Sequence, residues 1–145
     1  MYCKTAARVS LALAFALAFA FLSSAVAQSP APAAPSPATP APGVKRTLLQ
    51  KADLGDRDMI MGTAEIPAGG SVGRHFHHGT ESGYVLEGSA TLEIDGEAAR
   101  VINAGDSYVI PAGKIHDAKT VGDKQAKVLA IYVVEKGKPL AVTAP

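Results

Sequence analysis

The stretch GGSVGRHFHHGTESGYVLEG, residues 69–88, holds three of the four histidines of the chain. His75 and His77 are two apart, and on a β-strand alternate side chains share a face, so both imidazoles point the same way. Two neutral imidazoles on one face can grip one divalent ion. Glu81 has the same parity, although Gly79 can bend the chain between them. His78 has the opposite parity and, like Arg74 and Phe76, is expected to point away as an exposed or supporting side chain. Continuing from Glu81, parity sends Gly83 and Val85 inward and Tyr84 outward. Gly83 either leaves room for a substrate or relieves packing. The fourth histidine, His116, closes a second stretch, GDSYVIPAGKIH, residues 105–116, where it follows the turn Pro111-Ala112-Gly113. From there it can reach the same point from another strand. Three imidazoles and one carboxylate suit first-row divalent ions such as Fe, Mn, Ni, Cu or Zn. An isolated His-x-His pair is more often a pair of solvated surface side chains.

Outward from these stretches the chain reads as all-β. Short runs of β-branched and aliphatic residues are bounded by Gly, Pro and Asp. The expected strands are 46–50, 59–66, 72–77, 84–87, 90–94, 98–102, 107–110, 117–119 and 127–134. No stretch keeps a helical period. Asp95-Gly96 suits a two-residue type I′ hairpin, which sets Leu92 opposite Ala99 and Ala90 opposite Val101 on one apolar face. In the run 59–66, Met59, Met61, Thr63 and Glu65 share one face and Ile60, Ala64 and Ile66 the other. If the first face lines a barrel, the two methionines form an apolar wall. Many short strands with frequent turns suggest a sandwich or barrel.

The two histidine stretches share their spacing with a known family. Gly69-x5-His75-x-His77-x3-Glu81-x6-Gly88 resembles the first motif of the cupins, and Gly105-x5-Pro111-x-Gly113-x2-His116 resembles the second. The gap between Gly88 and Gly105 is similar to that of small single-domain bacterial cupins. The resemblance implies a jelly-roll β-barrel, also called a double-stranded β-helix, that is commonly a homodimer. It implies metal ligation by His75, His77, Glu81 and His116, with Gly69, Gly88 and Gly105 at strand ends. One position departs from the family habit: Thr120 stands where an Asn is frequent. That position is not a ligand.

The N-terminus is of another kind. Lys4 and Arg8 precede the apolar run Val9–Leu22, and Ser23-Ser24-Ala25-Val26-Ala27 ends it with small residues. Charge, apolar run and an A-x-A site, in that order, read as a secretory signal peptide over residues 1–27. As a helix the run rises only about 21 Å, short of the roughly 30 Å hydrocarbon core. Residues 28–43 hold six of the ten prolines, interleaved with Ala, and read as a semi-rigid exposed linker. The barrel domain is then 44–145, in the periplasm or secreted. Cleavage after Ala27 removes the only cysteine, Cys3, so no disulfide is expected. It also takes Lys4 and Arg8 from the 14 basic residues, leaving 12 against 13 acidic. That balance excludes a strongly basic nucleic-acid binder, and no membrane contact is expected after cleavage.

Similarity to the quercetin-dioxygenase-like cupins implies a metal-dependent enzyme. A small organic substrate would be held through its oxygens, with Glu81 both ligand and general base. The family also hosts isomerase, lyase and decarboxylase chemistry. A module that binds a small molecule or metal without turnover, and a purely structural metal, are the other two readings. With Phe76, Tyr84, Tyr108 and Tyr132 the only aromatic residues after the signal segment, a cage of stacked rings is not expected.

Overall fold

The computed structural model describes residue 37 and residues 43–145. The signal segment, and all of the linker except Pro37 and Gly43, lie outside these residues. Among the described residues there are ten strands and no helix. They are β1 (Lys45–Asp53), β2 (Arg57–Ile66), β3 (His75–Phe76), β4 (Gly79–Glu87), β5 (Ser89–Ile94), β6 (Arg100–Asn103), β7 (Ser107–Ile110), β8 (His116–Thr120), β9 (Ala126–Glu135) and β10 (Val142–Thr143). One sheet runs β1-β2-β9-β4-β7 and the other β10-β3-β8-β5-β6. Every pairing within them is antiparallel. The chain crosses between the sheets repeatedly, as in a double-stranded β-helix.

Strand alternation builds the interior. Along β4 the odd positions Glu81, Gly83 and Val85 are buried and the even positions face out. The inner faces join in a core of Val85, Leu92, Ile94, Ile102, Tyr108, Ile110 and Val128 with small alanines between them. Gly88 ends β4 at φ +73°, and a Cβ there would sit 2.2 Å from the Gln125 carbonyl oxygen. Only glycine satisfies both demands at that strand end.

Three local expectations need correction. The hairpin at Asp95-Gly96 is not type I′, because only Gly96 has positive φ. Glu97 N–H bonds the Ile94 carbonyl across the turn, which is the type II pattern. The register becomes Ala90 opposite Ile102 and Leu92 opposite Arg100. A slip of one residue exchanges the faces, so Ile102 is buried and Val101 is 53% exposed. In β2 the inward face is Ile60, Gly62, Ala64 and Ile66, which lines the cavity described below. Met59 and Met61 therefore lie on the outer face. Finally, the run 72–77 forms a strand only at His75–Phe76, and β10, with only two residues, was not anticipated.

Candidate metal centre

His75 sits on β3 and His116 on β8, and the two are direct partners across the sheet. His77 follows just after β3. Glu81 projects from β4 of the opposite sheet, beside Ile110 and Tyr132. The two motifs are tied by a backbone hydrogen bond of 3.0 Å from Gly113 N–H to the His77 carbonyl. One ligand atom from each of His75, His77, Glu81 and His116 lies within 4.8 Å of the others, and all four residues are buried. The structure thus brings together the four residues that the spacing singled out. His78 stays outside the cluster, its ring edge-on to Phe76 at 5.4 Å.

The hydrogen bonds around the rings fix their tautomers. Nδ1 of His75 donates to the Gly73 carbonyl (2.6 Å), Nδ1 of His77 to the Leu140 carbonyl (2.6 Å) and Nδ1 of His116 to the Lys114 carbonyl (3.0 Å). A carbonyl only accepts, so each Nδ1 carries a proton, and a ring with no second proton turns a bare Nε2 to the centre. His77 Nε2 is 2.9 Å from Glu81 Oε2, yet it has no hydrogen-bond partner among the described residues. Two acceptors at that separation with no proton between them favour a cation. The residues present therefore fit a divalent transition ion, which would fill the orphaned position and could take three nitrogens and one oxygen.

Electrostatics follow the same geometry. Burial, then the charge of His116, push the His75 pKa down to about 4, so its ring stays neutral near pH 7. Burial acts to raise the Glu81 carboxyl, but the hydrogen bond from His116 and the nearby His77 outweigh it and hold it well below the usual range. For His116, burial acts downward and is overcome by the Glu81 carboxylate, which raises it. Without metal, the 3.2 Å contact between His116 Nε2 and Glu81 Oε2 is where an added proton is best held.

Several contributors were not visible in the sequence. Tyr108 donates from its hydroxyl to Glu81 Oε1 at 2.8 Å, leaving Oε2 directed at His77 and His116. Its ring occupies the space above Gly83, where a Cβ would come within 2.1 Å of Tyr108 Cζ. Gly83 thus accommodates Tyr108 rather than a substrate. Tyr132 stacks obliquely on His77 with ring centroids 4.8 Å apart. Asp117, 3% exposed, faces away from the cluster yet supports it. Its carboxylate accepts from the Ser71 hydroxyl (2.9 and 2.7 Å) and from Gly73 N–H (2.9 Å), and the Gly73 carbonyl holds His75. Thr120 donates from its hydroxyl to the Pro67 carbonyl at 2.9 Å, pinning the end of β8 to the turn before the first motif.

The cluster opens onto a cavity of about 850 Å³. Ile60, Ile66, Leu92, Val128 and Ala130 make its apolar walls, with Tyr108 and Tyr132 near the ligands and Arg46 on β1. Pro37, which forms an isolated bridge with Val142, also lines it.

Comparison with known proteins agrees with this architecture. The cupin domain family model matches residues 62–132, the span that carries both motifs. An oxalate-binding protein from Thermotoga maritima is 28% identical over 88 residues, 60% of this chain and 72% of the relative. A Klebsiella pneumoniae protein with a double-stranded β-helix domain superposes with a TM-score of 0.60 at 18% identity, over 73% of this chain and 90% of that one. An oxalate oxidase structure gives a TM-score of 0.55 at 28% identity, over 60% of this chain and 46% of its own. With the motif spacing, the two-sheet topology and the four-residue cluster all in agreement, the chain belongs to the cupin superfamily.

Proposed function

We propose that this chain is an exported, metal-dependent cupin enzyme of the dioxygenase kind, acting on a small organic substrate at His75, His77, Glu81 and His116. The observation that carries this is where the ligand cluster lies: on the wall of a cavity of about 850 Å³, within the range of small-molecule sites. A structural ion is normally enclosed by its ligands, whereas a catalytic one keeps an open position.

A bound divalent ion would hold substrate oxygens and act as a Lewis acid toward them. The protein groups divide the remaining work. Glu81 has one oxygen engaged by Tyr108 and the other turned to the centre, so Oε2 can accept a proton from a substrate carbon or hydroxyl. Tyr108 keeps the carboxylate in place as that charge changes. The aliphatic walls exclude water and strengthen the electrostatics inside. Export, the homodimer and freedom from membranes belong to the same proposal; Tyr84, Leu86 and Val109, exposed on β4 and β7, offer a surface for self-association.

A second reading is supported by the oxalate-binding relative: capture of a small molecule without turnover. Metal-loaded protein is to be screened by oxygen electrode against catechols, flavonols and β-diketones, beside the Glu81→Gln variant. Consumption with at least one compound, lost in the variant, is expected. Tight binding with no consumption and no product under air or nitrogen would leave the capture reading standing. A product formed equally under nitrogen would move the assignment to isomerase, lyase or decarboxylase chemistry.

A further inference from the structure

Two neighbours found by comparison bear the name of oxalate, a dianion with no apolar part. The cavity here has the opposite character. Its walls are aliphatic and aromatic, and its volume of about 850 Å³ approaches the upper end of drug-sized sites. Oxalate would leave most of that wall wet. The acidic and imidazole groups are concentrated at the ligand cluster, and of the two arginines that line the cavity one, on the sheet β1-β2-β9-β4-β7, is unpaired among the described residues.

That cation is Arg46. It is opposite Ala64 in the ladder, which is opposite Val128, which is opposite Val85. Partners across a ladder share a face, and Val85 is fully buried, so the Arg46 side chain projects from the inner face. It lines the cavity on the exposed edge strand. The neighbouring acid does not neutralise it, because Glu65 points to the other face and pairs with Lys45 and Lys127. Among the described residues Arg46 has neither an ion pair nor a side-chain hydrogen bond. Arg74, the other arginine at the cavity, is already paired through both terminal guanidinium nitrogens with Asp95, and its Nε donates to the Pro145 carbonyl.

We propose that Arg46 anchors the anionic group of an amphipathic organic acid, whose apolar body fills the cavity and whose oxygens reach the His75-His77-Glu81-His116 centre. This rests on the enzyme reading above and narrows its substrate class. A guanidinium presents a fork of donors that suits a carboxylate, and the aliphatic wall beyond it suits a ring or chain. Oxalate offers a carboxylate to the guanidinium or to the centre, but has no apolar body to fill the wall between them.

The test is calorimetry on full-length zinc-loaded protein, since zinc is redox-inert and holds the probe unreacted. The probes are 3-(3,4-dihydroxyphenyl)propanoate, its primary amide, and oxalate. Wild type is expected to bind the acid about tenfold more tightly than the amide, the scale of one charge-assisted carboxylate contact. In Arg46→Met the acid should fall to the affinity of the amide while the amide is unchanged. Arg46→Lys should restore part of the preference. Equal affinities in wild type, a preference that survives in Arg46→Met, or oxalate binding more tightly than the acid each overturn the anchor. A protein that holds zinc but binds neither catechol probe also overturns it, leaving the metal centre intact. A protein that takes up no zinc overturns both the anchor and the enzyme reading.

Discussion

Removing the Asp117 carboxylate should damage the metal centre from behind. Asp117 touches no ligand, yet it accepts from Gly73 N–H at 2.9 Å and from Ser71 Oγ at 2.9 and 2.7 Å. The Gly73 carbonyl in turn receives the His75 Nδ1 proton at 2.6 Å. In Asp117→Ala the Gly73 N–H and the Ser71 hydroxyl lose a charged acceptor in a nearly closed space. Each such bond is worth about 1.5–3 kcal/mol, and with partial relaxation the loss should be about 3 kcal/mol. For a domain of this size that lowers Tm by roughly 12–24 °C. The loosened Gly73 then lets the His75 ring turn, and metal affinity should drop roughly 10- to 100-fold, as when other groups behind metal ligands are removed. Asp117→Asn keeps an oxygen for Gly73 N–H and should lose about a third as much stability. Ser71→Ala should lose about 1 kcal/mol, and its effect should largely vanish in the Asp117→Ala background. The assays are chemical denaturation of metal-free protein and zinc competition against a chelator of known affinity. Zinc affinity within a factor of two of wild type in Asp117→Ala would refute the clamp, as would full additivity with Ser71→Ala.

Other expectations concern the interior. Tyr108→Phe should cost about 1–3 kcal/mol, because Glu81 Oε1 stays buried without its donor; denaturation midpoints measure this. Gly83→Ala should be severe, since its Cβ meets the Tyr108 ring at 2.1 Å, and Tyr108→Ala should partly rescue it. In acid, metal-free protein should weaken for a stated reason. His75 has a folded pKa depressed from 6.5 to about 4, so the unfolded chain binds that proton first. Its contribution is complete above pH 6.5 and lost as pH falls toward 4, by about 3 kcal/mol at 1.36 kcal/mol per unit. His116, raised by Glu81, acts in the opposite sense, present below 6.5 and lost as pH rises through its raised value. The slope between 6.5 and 4 should therefore flatten in His75→Asn, and an unchanged slope would contradict the assignment.

The four candidate ligands were legible because three of them fall within seven residues, where parity pairs His75 with His77 and the family spacing adds Glu81 across the bend before β4. His116 was legible through the turn Pro111-Ala112-Gly113 and the family spacing. The alternation of β4 was equally readable, since Glu81, Gly83 and Val85 are buried in turn. Other features depended on information that parity does not carry. Asp-Gly serves both type I′ and type II turns, so the register of β5 and β6 was undetermined by one residue. Both faces of β2 carry large apolar residues in its first half, Met59 and Met61 on one and Ile60 on the other, and docking on β9 decides that Ile60 and Ala64 face in. Tyr108 and Glu81 are 27 residues apart, and His77 finds its acceptor 63 residues away at Leu140. The one available signal was Gly83, an inward glycine whose missing side chain must be replaced by a neighbour's. Asp117 gave none, because an acid beside a buried histidine reads as the solvated face of a strand.

Metal content per chain tests the centre most directly. Full-length protein, His77→Ala and His78→Ala are to be loaded with zinc, dialysed against a weak chelator and analysed for metal and protein together. Wild type and His78→Ala should retain one ion per chain and His77→Ala nearly none. A full complement of zinc in His77→Ala, or none in wild type, would contradict the assignment of His75, His77, Glu81 and His116 as one ligand set.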